Sequence, residues 1–144
     1  MTNYISVQGS TPRKRALARN IVKYCIKELM PRTTTLDISV NICKIEDDAD
    51  GYCAQHDDRT FEIELATGTK DSDFITAIMH EMTHVWQHRK GWLKDVSAIS
   101  KSWRGEEYLT FFSTVDEYME FPWEKSAYDM QEKLYERYKN ENFS

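Results

Sequence analysis

Leu17, Ile21, Cys25 and Leu29 recur every fourth residue behind Ser10-Thr11-Pro12, a capping hydroxyl followed by a proline suited to the first helical position. This spacing predicts an amphipathic helix that stops near Pro31. From Leu36 to Cys43 apolar and polar residues alternate, Leu-Asp-Ile-Ser-Val-Asn-Ile, the two-residue period of a half-buried strand. Asp47-Asp48-Ala49-Asp50-Gly51 then breaks the chain. Gly51 to Gln55 and Thr60 to Leu65 flank the polar stretch His56-Asp57-Asp58-Arg59, which reads as a hairpin.

Between Asp71 and Arg89 the period returns to helical, with Asp71 or Ser72 as the expected cap. At 100° per residue, Phe74, Ile75, Ile78, Met79, Met82, Val85 and Trp86 fall within an arc of roughly 140°, the expected core face. His80, His84, His88, Glu81 and Ala77 share a different side. After Gly91 the periodicity is lost until Pro122, and Val96 to Tyr108 has room for one or two short strands. Trp103, Tyr108, Phe111, Phe112, Tyr118, Phe121 and Trp123 make this stretch aromatic; most are expected in the core, with lining of a cleft as the other use. Pro122 fits a helix start, and Trp123, Ala127, Met130, Leu134 and Tyr138 recur at helical spacing behind it. The pattern predicts an α+β fold: an N-terminal helix, a small, mostly antiparallel twisted sheet, the histidine-bearing helix, and a C-terminal helix.

Composition narrows the class. With 144 residues, 40% hydrophobic and 30% charged, the chain suits one domain with one core, spanning residues 1–144. A net charge of −5 gives no basic field to gather phosphate, so nucleic acid is not an expected partner. Arg13, Lys14 and Arg15, which oppose the dipole of the first helix, read as a solvated face. The opening MTNYISVQGS has neither a cationic start nor an apolar core, and no stretch approaches the roughly 18 apolar residues of a membrane span. A soluble, cytoplasmic protein is expected. Cys25, Cys43 and Cys53 form no CxxC pair and are odd in number, which suits reduced structural thiols. The acidic run Asp47, Asp48, Asp50 lacks the closing glutamate and flanking helices of a calcium loop, so it reads as a solvated turn.

His80-Glu81-Met82-Thr83-His84 is HExxH on a helix, a pattern that shuffling this composition yields with a probability of only about 0.01. Imidazoles at i and i+4 project side by side within about 6 Å along the axis, close enough to share one tetrahedral Zn²⁺. Glu81 lies on the adjoining flank, where its carboxylate can reach a metal-activated water as general base. A catalytic zinc takes a third protein ligand. His88 lies about 12 Å along the axis from His80, too far to share the ion. The metzincin arrangement also fails, because Gln87 and Lys90 stand where its glycine and third histidine would. His56 belongs to the hairpin and is expected at the surface or on the substrate side. An acidic ligand remains, and Glu124 is the best candidate, since Pro122 starts a rigid first turn and Ala127 lets that helix come close. Glu117 and Glu120 are its rivals.

HEMTH followed by a glutamate in an ExxA sequence resembles the gluzincin clan of zinc metallopeptidases, in particular the minimal phage- and mobile-element-associated members of the ImmA/IrrE type. Trp103, Gly105, Tyr118 and Pro122 to Ala127 are similar to the pattern of small phage-encoded HExxH proteins, so the likeness covers about Gly51 to Tyr128. It implies a minimal zincin-like domain, one catalytic Zn²⁺ on His80, His84 and Glu124, Glu81 as base, and a peptide or protein substrate. A phage origin would place it in host cytoplasm. Thermolysin-type gluzincins carry NExxSD at the third ligand, whereas here Trp123 replaces the asparagine and Ala127-Tyr128 the serine and aspartate. Support for the histidines must come from elsewhere, with Asp116 and Asp129 as candidates. A SprT-like third histidine is disfavoured, because none follows His88.

Two functions are therefore expected in competition. One is a zinc-dependent endopeptidase, with Tyr128 or Tyr118 offering a phenol to the oxyanion and an edge strand within Gly51 to Leu65 binding substrate backbone by strand addition. The other is a non-catalytic interaction protein, a phage-like binder of a host factor, whose zinc stabilises the fold.

Overall fold

The computed structural model describes residues 2–47 and 49–143, so Asp48 of the acidic run lies outside the described residues. The chain opens with a strand, β1 (Tyr4–Gln8), followed by helix α1 (Pro12–Leu29) and strand β2 (Asp37–Cys43). Thr11 caps α1, its hydroxyl accepting from the Lys14 amide at 3.2 Å, and Pro12 occupies the first turn where its missing N–H costs nothing. Strands β3 (Gly51–Gln55) and β4 (Thr60–Ala66) form the hairpin the turn residues imply, and helix α2 runs from Asp71 to Arg89.

The four strands lie in the order β1-β2-β4-β3. β1 and β2 are parallel, β2 and β4 are parallel, and only β3 runs antiparallel, against β4. The expectation of a mostly antiparallel sheet is corrected here for two reasons. β1 precedes α1, and a helical crossover returns the chain in the same direction. β3 then sits at the outer edge, so that β4 slots between it and β2. β1 gave only Ile5 and Val7 as signal, both half-buried, over a strand too short for its alternation to stand out.

Ile38, Val40 and Ile42 of β2 and Phe61, Ile63 and Leu65 of β4 point inward and are buried. α1 and α2 cover this face with Ile21, Val22, Cys25, Phe74, Ile78 and Met82, all at or near zero exposure. Trp86, assigned to the same arc, is half-buried. α2 begins one residue earlier than a capping Asp71 would require: Lys70 occupies the cap without a side-chain hydrogen bond, and Asp71 is the first helical residue. Its carboxylate instead pairs with Arg13 at 2.9 Å and Lys14 at 3.2 Å, tying the starts of the two helices. Those guanidinium and ammonium partners lower the Asp71 pKa to about 2.

Beyond α2 three short antiparallel strands follow, β5 (Leu93–Ser97), β6 (Ser100–Trp103) and β7 (Glu106–Leu109). One or two were expected. Arg104 and Gly105 both have positive φ, 52° and 90°, as a two-residue hairpin turn of the primed kind requires. A one-turn helix α3 (Val115–Met119) precedes α4 (Pro122–Phe143). α4 packs on α2 through Ala127 and Leu134, both fully buried, and Tyr138 meets Tyr24 of α1 edge to face at 5.3 Å. Of the aromatic stretch only Trp123 is buried; Phe111 and Phe112 are 67% and 53% exposed and the others are half-buried, so core packing does not account for it. Cys25, Cys43 and Cys53 are unbridged. Among the described residues, no helix is long and apolar enough to cross a membrane.

Candidate metal centre

His80 and His84 lie one turn apart on α2, their ring centroids 4.9 Å from each other and their planes nearly perpendicular at 85°. Pro122 restarts the chain as a helix, and the Phe121 carbonyl accepts from the amides of both Glu124 and Lys125 at 3.0 Å, which fixes Glu124 in the first turn of α4. Ala127, one turn on and with only a methyl group between the helices, lets that turn come down onto α2. The Glu124 carboxylate consequently meets both imidazoles, Oε1 lying 2.9 Å from His80 Nε2 and Oε2 3.2 Å from His84 Nε2. One donor atom from each of the three residues falls within 4.8 Å of the others. All three are buried, at 8%, 7% and 3% exposure for His80, His84 and Glu124.

The far nitrogens of the two rings are held by amides. His80 Nδ1 is 2.8 Å from Gln131 Oε1, and His84 Nδ1 is 2.8 Å from Gln87 Oε1. Gln87 has only one possible orientation, because its Nε2 donates to the Trp123 carbonyl at 3.0 Å and only its oxygen is left for His84. His84 must therefore donate from Nδ1, and in a neutral ring its Nε2 then carries a lone pair. That lone pair faces a carboxylate oxygen. Two acceptors at hydrogen-bond distance in a buried site repel, so something positive belongs between them, either an extra proton or a cation. Two imidazole nitrogens and a carboxylate, with the tautomer set by an outer hydrogen bond, are a donor set that a divalent metal ion fits.

Electrostatics in the cluster agree with this. Burial alone would lower the His84 pKa, but the Glu124 carboxylate, the charge of Glu81 and the hydrogen bond to Gln87 outweigh it and raise it. Burial likewise pushes Glu124 up, yet the two imidazoles hold it far below the usual carboxylate range. Glu81, 6% exposed, is raised by burial, against the downward pull of His84 and His80.

A cavity of about 450 Å³ opens against His80 and Glu81. Gly51, at the start of edge strand β3, borders it: a Cβ there would stand 2.7 Å from the Glu64 carbonyl oxygen and 3.4 Å from Glu81 Cγ. Tyr128 lines the cavity with its ring 4.5 Å from that of His80. Tyr118 also lines it, and burial, followed by the nearby charges of Glu124 and Glu81, raises its pKa.

The other sequence candidates lie apart from the centre. Glu117 accepts from the Ser113 amide at 2.7 Å, and Glu120 pairs with Lys125 at 2.9 Å. His56 is an exposed partner of Glu62. His88 rests on Phe61, ring centroids 5.9 Å apart, and burial lowers its pKa to about 4. Asp116 and Asp129 are exposed, so the support expected from them comes instead from Gln87 and Gln131. Sequence spacing held a signal for both: Gln87 is three residues after His84, and Gln131 is seven after Glu124, each on the face of its helix that carries the ligand.

Comparison of the chain with protein-family models, with curated proteins and with solved structures gave no match.

Proposed function

We propose that the protein is a zinc-dependent endopeptidase of minimal zincin-like, gluzincin type, acting on peptide or protein substrates. The observation that carries this reading is the convergence of His80, His84 and Glu124 beside a buried carboxylate, Glu81, at the end of an open cavity. Zn²⁺ bound there would supply Lewis acidity toward the scissile carbonyl and toward water.

The chain's own residues do the rest. Glu81 takes a proton from the attacking water and returns it to the leaving amine, a task its burial suits because a raised pKa makes it a stronger base. Tyr128 is the phenol offered to the developing oxyanion, since it lines the cavity with its ring 4.5 Å from that of His80. Among the described residues β3 pairs with β4 alone, so its outer edge has no strand partner beside Glu81, and an extended substrate could add there as a further strand. Gly51 keeps that end of the edge free of a side chain.

Glu81→Gln tests the reading against that of a non-catalytic, zinc-stabilised binder. The variant is expected to keep one equivalent of zinc and the wild-type circular dichroism while hydrolysis of a denatured protein falls by about 100-fold or more. Cleavage at the wild-type rate by the variant, or none by zinc-loaded wild type, would sink the enzyme.

A further inference from the structure

The cavity beside His80 and Glu81 has two unlike walls. One comes from the segment before α4, where Phe112 and Val115 line it while remaining 53% and 70% exposed. The same segment carries Leu109, Phe111 and Met119, exposed by 61%, 67% and 39%, so exposed apolar residues flank in sequence the two that line the cavity. So many large apolar side chains exposed within one short segment point to a surface that something covers. The other wall carries Asp47 and Asp50 from between β2 and β3, and Tyr52 of β3. Asp47 is held as an anion by the Tyr52 hydroxyl and the Ala49 amide, which lower its pKa.

No lysine or arginine lines the cavity among the described residues. The cation whose charge reaches Glu81 is Lys101 on β6, outside the cavity lining and 3.8 Å from Asp95. An occupant with positive charge is therefore attracted without competition from the protein's own cations, and one with negative charge is repelled. The volume suits a few residues of extended chain with a large side chain.

Resting on the peptidase reading above, we propose that the substrate is an extended polypeptide segment whose large apolar side chain seats against Phe112 and Val115. A lysine or arginine next to it faces Asp47 and Asp50. The strip through Phe111 and Leu109 takes a further apolar residue outside the cavity.

The test uses the full-length, zinc-loaded Glu81→Gln variant and three fluorescein-labelled ten-residue peptides, read by anisotropy. One has a central Phe flanked by Lys, the second a central Phe flanked by Glu, the third a central Gly flanked by Lys. The first is expected to bind about tenfold tighter than either of the others. Adding Asp47→Asn and Asp50→Asn should bring the two Phe peptides within about twofold of each other. Adding Phe112→Ser and Val115→Ser, at exposed positions, should bring the Phe/Lys peptide down to the Gly/Lys one.

Equal affinities, or a preference for the Glu-flanked peptide, overturn the proposal. So does concentration-dependent self-association that Phe112→Ser and Val115→Ser abolish without peptide discrimination, which assigns the strip to a second copy. The same peptides offered to zinc-loaded wild type separate the two claims. Cleavage of all three at one rate overturns the substrate class and leaves hydrolysis standing. Selective binding with no cleavage supports the substrate-type occupant and sinks the enzyme.

Discussion

Gln87 is wholly buried, and its two ends are committed to different helices. Its oxygen takes the His84 Nδ1 proton, and its nitrogen holds the carbonyl of Trp123, the residue immediately before Glu124. One amide thus orients His84 on α2 and anchors the turn that presents Glu124 on α4. Gln131 serves His80 alone and is only half-buried. Gln87→Leu, close in volume, is expected to weaken zinc binding by about 10- to 100-fold, and Gln131→Leu by less; competition with a chromophoric chelator measures both. Unchanged affinity in Gln87→Leu would show that the amide only fills space. At this scale His80, Glu81 and His84 were legible because the helical period alone sets their relation. Glu124 needed a contact between segments far apart in the chain, which only Pro122 and Ala127 hinted at. The two glutamines were passed over in favour of Asp116 and Asp129, since a carboxylate is the more familiar partner of a ligating histidine, whereas solvent claims both aspartates here.

Among the described elements, β3 has one strand neighbour and a second edge without a strand partner, and its first residue is the place where strand, helix and cavity meet. A side chain at Gly51 would press on the backbone oxygen of Glu64, part of β4, which cannot swing away as a flexible side chain does. Gly51→Ala is accordingly expected to lower stability by about 1–3 kcal/mol, measured as a shift of the urea midpoint. An unchanged midpoint would mean that the hairpin has slack at its mouth. The elements read correctly from sequence are those with one face in the core: α1, β2, the β3–β4 hairpin, α2 and α4. β5 and β7 hid because their residues are almost all exposed, which leaves no alternation to see, and α3 because it buries nothing. The parallel sheet was missed for the same reason as β1, an edge strand whose two inward residues are only half covered.

For the molecule as a whole, the cluster ties α4 to α2, so protons and any metal bound there would compete for the same joint. His84 is raised above its ordinary 6.5 in the fold; its contribution is complete below that value and lost as pH rises through the raised one. Glu124 is depressed from 4.5, so its contribution is present above 4.5 and lost as pH falls through the depressed value. Chelator-treated protein should therefore draw most from the joint between pH 4.5 and a value above 6.5, then weaken as His84 deprotonates toward the carboxylate. Zinc should reverse the upper limb, since ligands freed of protons bind it better, and at 1,000 times its Kd add about 4 kcal/mol. Thermal melts from pH 5 to 9, with and without zinc, check this; identical profiles would remove metal from the account. The Trp123–Glu124 turn also lies far along the chain from the helix it grips. An ion bound there would act as a late fastener, closing the ring of contacts only after α4 has been made. Copies synthesised during zinc scarcity would carry a looser tail, and the rate at which a protease trims it would serve as a gauge of how much metal the surroundings supply.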